Sequence, residues 1–327
     1  VMRSDGIVAV AGEALIDMVP TGRADEFQAA PGGSPANVAV GLARSGVPTR
    51  MLARLGADLL GRRLRRHLSG NGVDLRYAVG ASEPSSLALV DLAPDGSADY
   101  DFRLDGACDW QWTDAELADA LDGDVRALHT GSLALILPPG ADVLQRLVVR
   151  ARPHATISYD PNCRPLLEDR ADVHSRIETM LPVTDIIKAS AEDLHWLYPG
   201  RPIQDVLRDW NSRGPALTIV TLGAAGAVAL GSPEHGPIQR PGRTVTVVDT
   251  VGAGDAFTSG LLAHLHRRDL LGASRRDALR ASTSDEIADL LDDAILVAAL
   301  TCARRGANPP TRTEILAAPA HQGPPRQ

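Results

Sequence analysis

Aromatic residues are scarce in this 327-residue chain, at 3% of the total. A surface that recognises bases by stacking would need more of them, so that class of function is set aside. Cysteine is scarce too. Cys108, Cys163 and Cys302 are far apart and form no CxxC pair, which speaks against a disulfide framework or a structural zinc site and fits a reducing cytoplasm. No long basic run occurs. The 33 basic and 41 acidic residues leave a net charge of −8, so no nucleic-acid partner is expected. The arginines at 62, 63, 65 and 66 read as a solvated helix face. No apolar stretch reaches membrane-spanning length, and the first residues lack the basic start and cleavage site of a secretory signal. No membrane partner is expected. Two nucleotide-binding patterns are also missing: GxxxxGK[ST] is absent, and no GxGxxG follows the first strand.

Apolar residues make up 44% of the chain, enough for a sizeable core. Short runs rich in Val, Ile and Leu alternate with amphipathic segments. "IVAVAG" (7–12) reads as a buried strand. "SPANVAVGLARSG" (34–46) reads as a helix with Ser34 as cap, Pro35 in its first turn and Gly46 at its end. "TRMLARLG" reads as a second strand and "LLGRRLRRHLSGNG" as a second helix. Residues 85–104 then alternate at period two around Asp95-Gly96, a hairpin signal. The βα rhythm resumes at 127 and runs to a last long helix over roughly 285–304. "TVTVVDT" (244–250) reads as one further strand. These patterns predict an α/β fold with a mainly parallel central sheet covered by helices on both faces. A small β lid, from about 14–30 and 84–106, would sit on a single domain of residues 1–317. Residues 318–327 read as a disordered tail.

"DTVGAGDAF" (249–257) poses the functional question. A nearly bare loop leads into a helix, where unpaired N–H groups and the helix dipole attract anions. Asp255 would repel an anion held there. The two fit together if a phosphoryl group is transferred: the loop amides steady the developing charge while Asp255 takes the proton of the attacking hydroxyl. The plain alternative, an acid in a first helical turn behind a tight glycine turn, explains this motif equally well on its own.

"GGSPANVAVGLARSG" (32–46), taken together with "DTVGAGDAF", resembles the paired signatures of the ribokinase-like (PfkB) sugar kinase family. The two motifs stand in the family's order and at its separation. The likeness runs from "GE" at 12–13 to "ARRGANPP" at 303–310. The resemblance implies ATP-dependent phosphorylation of a sugar hydroxyl on a three-layer α/β fold with a β lid. It makes Asp255 the base and Gly252, Ala253 and Gly254 the anion hole. Asp17, Gly32, Gly33 and Asn37 match sugar-holding positions. Thr221, Gly223 and Gly226 in "TLGAAGA", together with Asn308, match the nucleotide side, and Asn162 and Arg164 in "DPNCRP" match a segment near the phosphates.

The family often has Asn-x-x-Glu where this chain has Ser190 and Asp193. Asp193 would reach Mg²⁺ through water, and the plain alternative is a capped helix start. The resemblance also implies a monovalent cation, K⁺, beside Asp249 and the Val251 carbonyl. Among relatives the chain looks most like bacterial fructokinases, which frequently carry an aromatic where Arg103 stands. An arginine in a lid suits a carboxylate. Fructose therefore ranks first, 2-keto-3-deoxygluconate second, and ribose or a nucleoside third. Two further classes are an inactive sugar sensor on the same fold and a dinucleotide-dependent oxidoreductase, with the intact loop against the first and the missing fingerprint against the second. A homodimer through the exposed face of the lid is the remaining expectation about partners.

Overall fold

A computed structural model of the chain describes residues 6–318, apart from 22, 24, 25, 93–97, 233 and 235. The Asp95-Gly96 turn and residues 319–327 of the expected tail lie outside the described residues. Along the chain come β1 (Ile7–Ala11), β2 (Leu15–Pro20), β3 (Phe27–Gly32), α1 (Ser34–Arg44), β4 (Thr49–Leu52), β5 (Arg54–Gly56), α2 (Leu59–Gly70) and β6 (Val79–Ala81). They are followed by β7 (Leu87–Leu92), β8 (Ala98–Arg103), β9 (Val125–Gly131), α3 (Gly140–Ala151), β10 (Thr156–Asp160), α4 (Arg170–Met180), β11 (Ile186–Ser190) and α5 (Ala191–Leu197). The remainder comprises α6 (Ile203–Ser212), β12 (Leu217–Thr221), β13 (Ala227–Leu230), β14 (Ile238–Arg240), α7 (Ala253–Arg267), α8 (Arg276–Arg280), α9 (Ser284–Cys302) and α10 (Arg312–Ala317).

The apolar runs form an eight-stranded sheet in the order β14-β13-β12-β11-β10-β9-β1-β4. Pairing is parallel from β12 to β4 and antiparallel at β13 and β14. Side chains alternate across the sheet, so each strand feeds both layers. Ala9 and Ala11 of β1 belong to the buried cluster that includes residues of α3, α4, α5 and α6, whereas Val8 and Val10 belong to the one that includes residues of α1, α2, α7 and α9. Each fully buried Leu or Ile in these layers contributes about 1.5–3 kcal/mol. The expected three-layer ribokinase-like arrangement is present.

A second, four-stranded sheet has the order β3-β2-β7-β8. Its β2–β7 pairing is parallel and its other pairings are antiparallel. It grows from the end of β1, and β3 returns the chain directly to α1. Its strands come from two parts of the chain, Leu15–Pro20 with Phe27–Gly32 and Leu87–Leu92 with Ala98–Arg103.

Two expectations fail. "TRMLARLG" is two strands, not one: β4 closes the main sheet, and β5 leaves it to pair with β6. The buried Arg54 side chain explains the break. Its guanidinium is held by Glu83, Glu116 and the Cys108 carbonyl, away from the sheet. "TVTVVDT" belongs to neither sheet. Val247 and Val248 are exposed, and the amides of Val248 and Asp249 donate to the Cys302 carbonyl at the end of α9, at 2.8 and 3.2 Å. The period-two pattern is real, but among the described residues no strand pairs with it.

Candidate active site

The C-terminal ends of the parallel strands open into a cavity of 410 Å³. Asp17, Gly33, Asn37, Arg164, Gly252 and Asp255, drawn from four separate stretches of chain, all line it, as does Val251. Gly32 stands behind Asp17, its α-carbon turned so closely on the carboxylate that a methyl group there would overlap it. The second sheet closes one side with Ala88 and Phe102.

Asp255 is 9% exposed in the first turn of α7. Ser34 Oγ donates to its Oδ1 at 2.6 Å, and Asn37 Nδ2 donates to its Oδ2 at 2.8 Å. Ser34 is therefore not the helix cap that its position suggests. Gly33 occupies the cap position with φ 97, and no side chain caps the helix. A Cβ at Gly33 would lie 2.7 Å from the Glu13 carbonyl oxygen, so only glycine lets β3 turn into α1 here. The two motifs singled out in the sequence thus meet through side-chain hydrogen bonds.

Gly252 takes a left-handed conformation, φ 74, just before α7. The amide of Ala253 donates to the Thr250 carbonyl at 3.2 Å. Among the described residues, the amides of Gly252, Gly254 and Asp255 have no acceptor. Those three, rather than the Ala253 amide, are free to meet an anion at the helix terminus. Asp249 ties this loop to the 303–308 segment, accepting from Val251 N at 3.0 Å and from Gly306 N at 2.8 Å.

Burial governs the acids around the cavity. Asp17 is pushed up to about 6, with Arg164 opposing the shift and Asp255 adding to it. Glu13, 1% exposed, is pushed up to about 7 by burial, against hydrogen bonds that include the Ser132 hydroxyl. Its Oε2 has no partner. Beneath the loop, Lys188 Nζ and Asp160 Oδ2 form a buried ion pair at 2.8 Å. Burial raises Asp160 to about 6 even though Lys188 opposes it. Burial would lower Lys188, but Asp160 outweighs that and holds the ammonium above its ordinary value.

The remaining expected residues lie outside this set of cavity-lining residues. Ser190 and Thr221 pair across β11 and β12, and Gly223 and Gly226 turn β12 into β13. Ser190 and Asp193 form a capping box: Asp193 Oδ2 accepts from Ser190 N and Oγ, and its Oδ1 accepts from Cys163 N at 2.9 Å. Asn162 adopts φ 42 and accepts from Arg164 Nη1 at 2.8 Å. The Asn308 side chain accepts from Arg44 Nη1 at 2.6 Å. The Arg103 side chain is 62% exposed, pairs with Asp101 and does not line the cavity. The neighbouring Phe102 does.

Sequence reasoning missed Ser34, Glu13, Phe102, Asp160 and Lys188. Glu13 sits in the "GE" that marks the start of the family likeness. Lys188 carried a plainer signal, being the chain's single lysine.

Comparison with known proteins agrees with this geometry. Residues 7–314 match the pfkB family of carbohydrate kinases. A fructokinase of Rhizobium leguminosarum bv. trifolii is 36% identical over 269 residues, covering 81% of each chain. The crystal structure of a Xylella fastidiosa fructokinase with bound ATP superposes with a TM-score of 0.86 at 29% identity, covering 97% of this chain and 98% of that one. A Vibrio cholerae O395 fructokinase double mutant, bound to fructose, ADP and potassium ion, superposes with a TM-score of 0.81 at 26% identity, covering 97% of this chain and 99% of that one.

Proposed function

The chain belongs to the pfkB family of carbohydrate kinases and is a sugar kinase; from that premise we propose that it transfers the γ-phosphoryl group of ATP to a hydroxyl of fructose. The observation that carries the reading is the placement of Asp255. It is fixed by Ser34 and Asn37, faces the same cavity as Asp17, and stands beside three free amides at a helix N-terminus.

In this mechanism the sugar lies between Asp17, the Gly32–Gly33 turn and Asn37. The Asp255 carboxylate accepts the proton of the attacking hydroxyl. The hydroxyl oxygen forms its bond to the γ-phosphorus as the bond to ADP breaks, and the amides of Gly252, Gly254 and Asp255 hold the negative charge. Arg164 lines the same cavity. The second sheet acts as the lid, with Ala88 and Phe102 excluding water and so limiting idle hydrolysis of ATP.

Mg²⁺ when bound neutralises phosphate charge. Among the described residues, no group of three or more acidic, histidine or cysteine side chains is placed to hold a metal. Asp193 is the residue that would hold such an ion, through water. For K⁺, Asp249 shapes the site by drawing Val251 and Gly306 together. The free state of Cys108, Cys163 and Cys302 supports a cytoplasmic location. Phe27, exposed on β3, supports a homodimer through the second sheet.

Arg103 removes the ground for placing 2-keto-3-deoxygluconate close behind fructose, since it faces solvent beside Asp101. The test is ADP release with Mg²⁺-ATP and K⁺ against fructose, ribose, 2-keto-3-deoxygluconate, glucose and adenosine. Turnover with fructose at least tenfold above the others in kcat/KM is expected. A stronger response to another sugar would replace the acceptor, and silence with all five would remove the reading.

A further inference from the structure

Of the 33 Lys and Arg residues, one is lysine, and it is buried in the middle of the molecule. Lys188 is 5% exposed on β11. Ile187 and Ala189 face one helical layer, while Ile186 packs into the layer that contains α7. Alternation along the strand puts Lys188 on the α7 side. A Cβ built at Gly254 would lie 3.1 Å from Nζ. The ammonium is thus pressed against the backbone of the loop whose amides are free.

Asp160 reaches Lys188 from the neighbouring strand. An ammonium has three N–H donors. Among the described residues Asp160 is its hydrogen-bond acceptor, so donors remain. An ion pair in a core is weak evidence of stability, because desolvating both charges offsets most of their attraction. Arginine, used everywhere else, carries a broad planar fork, whereas the single lysine brings a compact ammonium to the place beneath Gly254. The charge also faces carboxylates from several elements: Asp160 on β10, Asp193 on α5 and Asp255 on α7. It is the cation buried among them.

We propose that Lys188 is a catalytic residue: its ammonium donates, beneath Gly254, to the phosphoryl group in flight, as the side-chain member of an anion hole otherwise made of backbone amides. This rests on the kinase reading above. The step balances without any change at the lysine. The sugar oxygen–phosphorus bond forms, the phosphorus–oxygen bond to ADP breaks, the hydroxyl proton goes to Asp255, and Lys188 keeps its proton throughout. Its hydrogen bond strengthens as charge collects on the phosphoryl oxygens, so its effect falls on turnover rather than on substrate binding.

The single lysine makes the test direct. Protein grown with ¹⁵N-lysine carries one ammonium signal. In the wild-type protein that signal should move when ADP, aluminium fluoride and fructose are added together, and stay within its linewidth with ADP alone. No movement with the full mixture, or the same movement with ADP alone, would overturn the proposal.

Kinetics give a second arm. Lys188→Met leaves Asp160 buried and unpaired, so the variant to compare is Lys188→Met with Asp160→Asn, which removes both charges. It should keep the KM values for fructose and ATP within threefold and lose at least 100-fold in kcat. Recovery to within tenfold of wild type in the double variant would mean that Lys188 only neutralises Asp160. A wild-type enzyme silent with fructose would instead count against the acceptor reading and leave the two arms to be run with whichever sugar responds.

Discussion

Asn37 and Asp255 are 218 residues apart in the sequence, and their side chains meet at 2.8 Å. Ser34, from the same turn as Asn37, takes the other carboxylate oxygen at 2.6 Å. The two donors fix its direction as well as its position, as the proposed role of proton acceptor requires.

Asp255→Asn should keep the fold, because an amide can still accept from Asn37 and donate to Ser34. It should leave the KM for the sugar within a few-fold and reduce kcat by about 10²–10⁴. Steady-state kinetics alongside a melting curve check this. Turnover within tenfold of wild type would remove Asp255 as the base.

Phe102 and Arg103 should separate cleanly. Arg103→Ala removes an exposed pair worth little, and kcat/KM should change by less than twofold. Phe102→Ala opens the wall of the cavity. The KM for the sugar should rise about tenfold, and ATP hydrolysis without sugar should increase as water enters. A coupled ADP assay with and without sugar reads both.

Gly252→Ala places a Cβ in a left-handed conformation and 2.6 Å from the Ala307 Cβ. The conformation alone costs about 1–2 kcal/mol, and the contact forces the loop away from the 303–308 segment. The melting temperature should fall by several degrees and kcat by at least tenfold. Loss of stability with full turnover would show that the loop's position does not matter to the chemistry.

Glu13 gives a pH signature. Its folded value of about 7 lies above the ordinary 4.5. The folded state therefore holds the proton more tightly, and the cost of ionising a buried carboxyl grows as pH rises from about 4.5 to about 7. Glu13→Gln escapes that cost. The melting temperature of the variant relative to wild type should be higher by a few degrees at pH 8 than at pH 5. A difference independent of pH would mean that Glu13 holds its proton equally tightly in the folded and unfolded states, and that burial does not shift it.

The two glycine motifs were legible because each carries a demand of the backbone: a bare helix start for an anion, and a turn that only glycine can make beside Glu13. Asn37 and Asp255 lie in those motifs, Asp17 came from the family resemblance alone, and all three line one cavity. Side-chain partnership was not legible. Ser34 satisfies the rule for a helix cap but bonds to Asp255 instead, because its partner comes from a helix more than 200 residues away. Lys188 and Asp160 sit in segments that read as ordinary core strands, and only the fold shows that they share a face under the loop. Residues 244–250 alternate as a strand does, yet pairing depends on what lies alongside, and there the neighbour is the end of α9.

The burial of the one lysine also sets how the chain can be cut. A lysine-specific protease has a single site, after Lys188, inside a central strand with neighbours on both sides. Local fraying at loops and termini does not expose that bond, whereas opening of the whole sheet does. The rate at which such a protease splits the chain in two is therefore a readout of global unfolding, free of the surface nicking that complicates proteolysis of most proteins.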